Sequence, residues 1–179
     1  HCNGWCYPWT VPMLNGRTIC LRNIDVKKIF ELIDKYNVTH FGGAPIILNM
    51  ITGAPEVDQK KLKNKVYVLT AGAPPPSIIF KKMKDLGFEV MHVYGLTETY
   101  GHVTQCAWND EWNDFDEEKQ NEIKARQGVR YPNTEGVTIM DPETMKEVPR
   151  DGKTIGEIMI KGNVVMKGYF KDKAATDKA

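Results

Sequence analysis

Val90-Met91-His92-Val93-Tyr94-Gly95-Leu96-Thr97-Glu98-Thr99-Tyr100-Gly101 decides the reading of this chain. Val90, Val93 and Tyr94 suit a strand, and Gly95 permits a sharp turn or a close approach to a ligand. Thr97 and Glu98 then set a hydroxyl beside a carboxylate. At the C-terminal end of a parallel strand these groups suit a nucleotide: a ring for a base, a hydroxyl for a phosphate oxygen, a carboxylate for Mg²⁺. A purely structural polar turn fits the same residues. Strand alternation sends Val93 to the face opposite Tyr94, where it either walls a pocket or packs in the core.

The preceding chain repeats one pattern. Glu89–Tyr94 is a strand, and before it Ile79, Phe80, Met83 and Leu86 line the inner face of a helix that Ser77 caps and Gly87 stops. Lys65–Thr70 is a strand running into Ala71-Gly72-Ala73-Pro74-Pro75-Pro76. Pro45 starts a helix through Ile51, and Val38–Phe41 is a strand closed by Gly42-Gly43. Asp25 caps a helix with Val26, Ile29, Phe30, Ile33 and Tyr36 at helical spacing. This alternation predicts an α/β fold, a parallel sheet with crossover helices. Thr18–Leu21 reads as a further short strand, and residues 1–18 are dense in aromatic and turn residues, either core or the wall of an apolar pocket.

Downstream, Val103–Cys106 reads as a short strand and Asp114–Arg126 as a solvated helix ended by Gly128. From about residue 130 the pattern changes to short strands and turns: Gly136–Met140, Gly156–Lys161 and Val164–Gly168 predict an antiparallel β lobe. Lys171–Ala179 reads as a helix cut short. The expected organisation is an α/β portion over 1–129 and a β lobe of the same domain over 130–179. The first residue is not Met and no closing signal ends the chain, so an internal piece of a longer protein is expected.

At 179 residues, 41% hydrophobic and 26% charged, the composition is that of a globular domain with one sizeable core. A net charge of +1 gives no bulk electrostatic reason to expect nucleic acid or an anionic membrane, and no apolar run approaches the roughly 20 residues of a membrane span. The cysteines, Cys2, Cys6, Cys20 and Cys106, form no C-x-x-C pair and read as thiols of a reducing compartment. His1 with Cys2 and Cys6, or His102 with Cys106, could be drawn as metal ligands, but neither set supplies four at zinc-site spacing.

Tyr94-Gly95-Leu96-Thr97-Glu98-Thr99 closely resembles the core motif of the adenylate-forming, AMP-binding enzyme superfamily. Three more segments in that family's order agree. His1-Cys2-Asn3-Gly4-Trp5 resembles its acyl-pocket segment, Thr70–Pro75 its adenine loop, and Gly156-Glu157-Ile158 with Gly162 and Gly168-Tyr169 its β-lobe motif. The nearest likeness is to plant-type short-chain, benzoate and cinnamate CoA ligases. The resemblance implies that Gly72, Ala73 and Pro74 flank adenine and that Tyr94, followed by Gly95, stacks on it. It implies that Thr97 bonds phosphate oxygens and Glu98 holds Mg²⁺, the two catalytic residues here. The implied acyl pocket takes in His1, Asn3, Trp5, Tyr7, Val93 and His102. A carboxylic acid, ATP and CoA would be the small-molecule partners, in the peroxisome or cytoplasm. The family's phosphate loop, ribose-binding aspartate and catalytic lysine would lie outside this stretch, so the isolated chain is expected to be inactive. His102 departs from the family, which often has Pro there. Two further readings stay open: a non-catalytic nucleotide-binding module, and an adenylating enzyme that does not use CoA.

Overall fold

A computed structural model of the chain describes residue 4 and residues 6–179. Its helices are α1 (Tyr7–Met13), α2 (Val26–Tyr36), α3 (Pro45–Thr52), α4 (Ser77–Asp85), α5 (Glu117–Lys124) and α6 (Lys173–Lys178). The strands are β1 (His40–Gly42), β2 (Val66–Thr70), β3 (Phe88–Leu96), β4 (Gly101–Gln105), β5 (Val129–Arg130), β6 (Gly136–Met140) and β7 (Glu157–Lys161). The first five strands form one sheet in the order β1-β2-β3-β4-β5, and β6 and β7 form a second, antiparallel pair. Two compact units result: one takes the chain up to Tyr94 with Thr104–Val129, the other Gly95–Val103 with Arg130–Ala179.

In the first unit β1 pairs with β2 and β2 with β3, both parallel, in the register Val66↔Phe88 through Thr70↔His92. Antiparallel neighbours can be joined by a tight turn, but parallel ones need a crossover, and α3 and α4 supply it. Their apolar faces bury Leu48, Ile51, Ile79, Phe80 and Met83 against Val66, Val68, Phe88 and Val90. Phe30 and Ile33 of α2 complete this core, with Phe30 tilted 60° to Phe88 at 5.9 Å and Phe41 edge-on to Phe88 at the same distance. On the α5 side, the buried His92 hydrogen-bonds through Nδ1 to the Ala125 carbonyl at 2.8 Å.

Several expectations shift. Residues 18–21 form no strand, and 164–168 are turns and bends. Val164 and Val165 have strand-like side chains, but the backbone there makes turn hydrogen bonds, such as Val165 N–H to the Gly162 carbonyl. The strand expected at Val38 starts at His40, and the segment at Tyr7–Met13 is a helix with a proline in its first turn. The helix expected over 114–126 is split into a 3₁₀ turn (Asp110–Asp114) and α5, capped by Asp116. Gly95 and Leu96 belong to β3, so the polar turn begins at Thr97.

The caps also separate. Asp25 Oδ1 accepts the Lys28 N–H at 3.0 Å, as its position predicts. Ser77 is the first helical residue, and the residue before α4 is Pro76, which makes no side-chain cap. Asp25→Ala should therefore cost about 1 kcal/mol of stability, read as a lower urea midpoint, and Ser77→Ala should leave the midpoint where it was.

Candidate active site

The glycine loop belongs to the first unit. It leaves β2 at Thr70, which is fully buried, and whose register partner is His92, two residues before Tyr94. Gly72 has φ +98°, a left-handed conformation that favours glycine. No atom lies within 4 Å of where its Cβ would stand, so the loop there faces open space. Tyr94 is half-buried, and Val93, at 2% exposure, is buried on the other face of the strand. Thr70 Oγ1 is a buried hydroxyl without a hydrogen-bond partner among the described residues.

The second unit carries the Thr-Glu turn. Thr97–Thr99 is a single 3₁₀ turn, and Thr99, 4% exposed, holds it together. Its hydroxyl accepts the Leu96 N–H at 3.0 Å and turns its proton toward the carbonyls of Gly101 (2.9 Å) and Leu96 (3.1 Å). A Cβ on Gly95 would stand 1.9 Å from the Gly101 carbonyl oxygen, so no side chain fits at 95. Tyr100 has φ +61°, a conformation that costs a bulky residue free energy and that collects at functional sites. Thr97 is exposed and Glu98 half-buried. Together with Tyr100, Asn163, Val164 and Met166 they line an open depression of about 420 Å³.

Glu98 is anchored twice. Its carbonyl accepts the Met166 N–H at 2.7 Å, and its Oε1 accepts the Tyr169 hydroxyl at 2.7 Å. The phenol's hydrogen bond, and then Glu98's own backbone N–H, hold the carboxyl below the usual range, and the same bond pushes the Tyr169 phenol up. An oxygen donor set of this kind, an ionised carboxylate beside a hydroxyl, fits a hard cation such as Mg²⁺. Among the described residues no three His, Cys, Asp or Glu cluster as a ready-made metal site. Thr99 and Tyr169 are the two residues that the sequence reading did not assign. The signals were present: a second threonine just before Gly101, typical of side-chain-stabilised turns, and the Gly168-Tyr169 pair.

Of the acyl-pocket residues, His1, Asn3 and Trp5 lie outside the described residues, and Tyr7 stands in α1. The Tyr7 ring lies where a Cβ on Gly42 would be, 2.8 Å from its hydroxyl oxygen, so it packs over the end of β1. His102 stacks edge-on against Tyr131 at 4.5 Å. Cys106 is buried and donates to the Ile123 carbonyl at 3.2 Å, and burial pushes its thiol up.

A parallel α/β arrangement with a glycine loop at a strand's C-terminal end is one in which open α/β sheets take their ligands. The chain belongs to the AMP-binding enzyme family, which matches residues 1–170. It is 51% identical over 177 residues to the peroxisomal acetate/butyrate–CoA ligase of Arabidopsis thaliana, covering 98% of this chain and 31% of that protein. It is 50% identical over 181 residues to an acetate–CoA ligase of Humulus lupulus, covering 100% of this chain and 32% of that protein. The chain thus spans about a third of the length of the curated relatives it matches. The o-succinylbenzoate coenzyme A synthetase of Bacillus subtilis, solved with ATP and magnesium, shares the fold: TM-score 0.79 at 20% identity, over 99% of this chain and 34% of that one. No helix among the described residues is long and apolar enough to cross a membrane.

Burial holds the His102 imidazole below its usual value of 6.5. The unfolded chain then binds more protons than the folded one between the two values, so stability should fall as pH drops through 6.5 toward the folded value. Chemical unfolding at a series of pH values should show that loss, and His102→Gln should flatten it.

Proposed function

We propose that this chain is the part of an ATP-dependent carboxylic acid–CoA ligase that holds adenine, the phosphates and much of the acyl group. The residues up to 129 form the adenine- and acyl-binding portion, and those from 130 the β lobe of the same domain. One observation supports this most. The Ala71–Pro76 loop follows the C-terminal end of β2, and Tyr94 stands in β3 two residues past His92, where the parallel register with β2 ends; open α/β sheets take their ligands at this end.

In this reading adenine lies on the Tyr94 ring with Gly72, Ala73 and Pro74 along its edge, and Gly95 keeps the backbone close. The Thr97 hydroxyl donates to phosphate oxygens. Glu98 holds Mg²⁺, which when bound neutralises phosphate charge. The acid's carboxylate attacks the α-phosphorus of ATP, pyrophosphate leaves and an acyl-adenylate forms. The CoA sulfur then attacks the acyl carbon, AMP leaves and the thioester remains. Neither step needs a covalent bond to the protein, so this chain's residues act by positioning and by compensating charge. His1, Asn3, Trp5, Tyr7, Val93 and His102 form the acyl side. The test is a pyrophosphate-release and acyl-CoA assay of the full-length protein with acetate, butyrate and benzoate; no release with any acid in the presence of Mg·ATP and CoA would refute the proposal.

In the full-length protein Glu98→Ala should cut turnover by about 10²-fold or more and leave the melting temperature nearly unchanged, because this carboxylate supports no core. Parental turnover with the same Mg²⁺ dependence would remove Glu98 from the assignment. Val93 separates pocket wall from core packing. Val93→Gly should raise kcat/KM for benzoate relative to acetate by roughly 10-fold, the scale of apolar pocket discrimination. Lower stability with an unchanged ratio would make Val93 a core residue.

A further inference from the structure

We infer that Tyr169 is a positioning residue for Glu98, holding its carboxylate in the orientation that receives the metal. The inference rests on the reading of Glu98 as a Mg²⁺ ligand. Tyr169 Oη donates to Glu98 Oε1 at 2.7 Å across a separation of 71 residues. That bond uses one lone pair of one carboxylate oxygen, and an ionised carboxylate has about four such sites, so capacity for a cation remains. The Met166 N–H fixes the carbonyl end of the same residue at 2.7 Å. Glu98 is thus tied by side chain and by main chain to one short strap, and Val164 and Met166 of that strap line the depression into which Thr97 and Glu98 open.

The strap is itself built to present the phenol. Tyr169 N–H donates to Thr176 Oγ1 at 2.9 Å, and the Thr176 hydroxyl donates to the Asp172 carbonyl at 2.7 Å. A Cβ at residue 168, where φ is +149°, would stand 2.5 Å from Thr176 Cγ2, so Gly168 lets the chain pass that close. Tyr169 is 41% exposed, and a hydrogen bond so open to water adds little to folding. Its effect falls on Glu98 instead. A free glutamate is rich in rotamers, and ordering it before the cation arrives removes that cost from binding. Hydrogen-bond partners of metal-binding carboxylates act in this way, and losing one weakens metal binding by about 10- to 100-fold. At this exposed site the lower end applies.

The test uses the full-length protein with Mn²⁺ as the probe and a non-hydrolysable α,β-methylene analogue of ATP, bound Mn²⁺ being counted by electron paramagnetic resonance. Tyr169→Phe removes only the hydroxyl. It should raise the Mn²⁺ Kd by about 10-fold with the melting temperature unchanged, and Tyr169→Phe combined with Glu98→Gln should bind no more weakly than Glu98→Gln alone. An unchanged Kd in Tyr169→Phe, with or without a lower melting temperature, while Glu98→Gln binds more weakly, would overturn the positioning role and leave Glu98 as ligand. Additive losses in the double variant would also overturn it. If Glu98→Gln leaves the Kd unchanged, the metal reading of Glu98 falls, and the inference falls with it.

Discussion

The parallel pairing of Val66–Thr70 with Phe88–His92 constrains everything else in the first unit. Its register turns Val66, Val68, Phe88 and Val90 onto the core with Phe30 and Met83. A slip of one residue would exchange the two faces of a strand. Glu89 would then enter the apolar layer, stripped of its ion pairs with Lys124 (2.5 Å) and Lys65 (3.9 Å). Burying an unpaired carboxylate costs far more than any apolar contact could return. The register is therefore well determined, and so are the strand ends beyond it. The loop after Thr70 and the ring of Tyr94 lie just past that register.

In the second unit the corresponding constraint is a steric one. The Gly101 carbonyl occupies the space that a Cβ at residue 95 would need, and it faces the Thr99 hydroxyl, which also accepts from the Leu96 N–H. Glycine and threonine are thus two halves of one lock around Thr97–Thr99. The lock leaves Thr97 and Glu98 facing outward and presses Tyr100 into a left-handed backbone. Strain of that kind persists only where the surroundings over-determine it, and the three bonds of Thr99 do so here.

Elements whose evidence is local were legible in the sequence. The helical spacing of Val26, Ile29, Phe30 and Ile33, the Asp25 cap, the strands around Val68 and Val90 and the β6–β7 pair all follow from periodicity and cap chemistry. That Thr97 and Glu98 form an outward polar turn was legible because a hydroxyl and a carboxylate after a strand have few apolar uses. What failed depended on partners distant in sequence. Tyr169 meets Glu98 across 71 residues, and no spacing rule links them. Residues 18–21 and 164–168 have strand-like side chains, but a strand is made by its pairing partner, and these runs have none among the described residues. Ser77 was misplaced by one residue because Pro76 can precede a helix as readily as serine can cap one.

The side chains gathered here also indicate what kind of catalysis this region can support. A nucleophilic thiol needs an ionised sulfur in an electropositive, accessible setting. Cys106 has cations near it in Arg126 and Lys124, but it is buried and donates to a backbone carbonyl, and burial outweighs them and holds it protonated. Burial holds the His102 imidazole below its usual value, with its ring edge-on to Tyr131. What opens to the depression is a carboxylate kept ionised by a phenol, a hydroxyl, and backbone fixed by Thr99 and Met166. In the proposed reading these groups hold a polyphosphate and its cation in one geometry, and catalysis of phosphoryl transfer is largely such positioning and charge stabilisation.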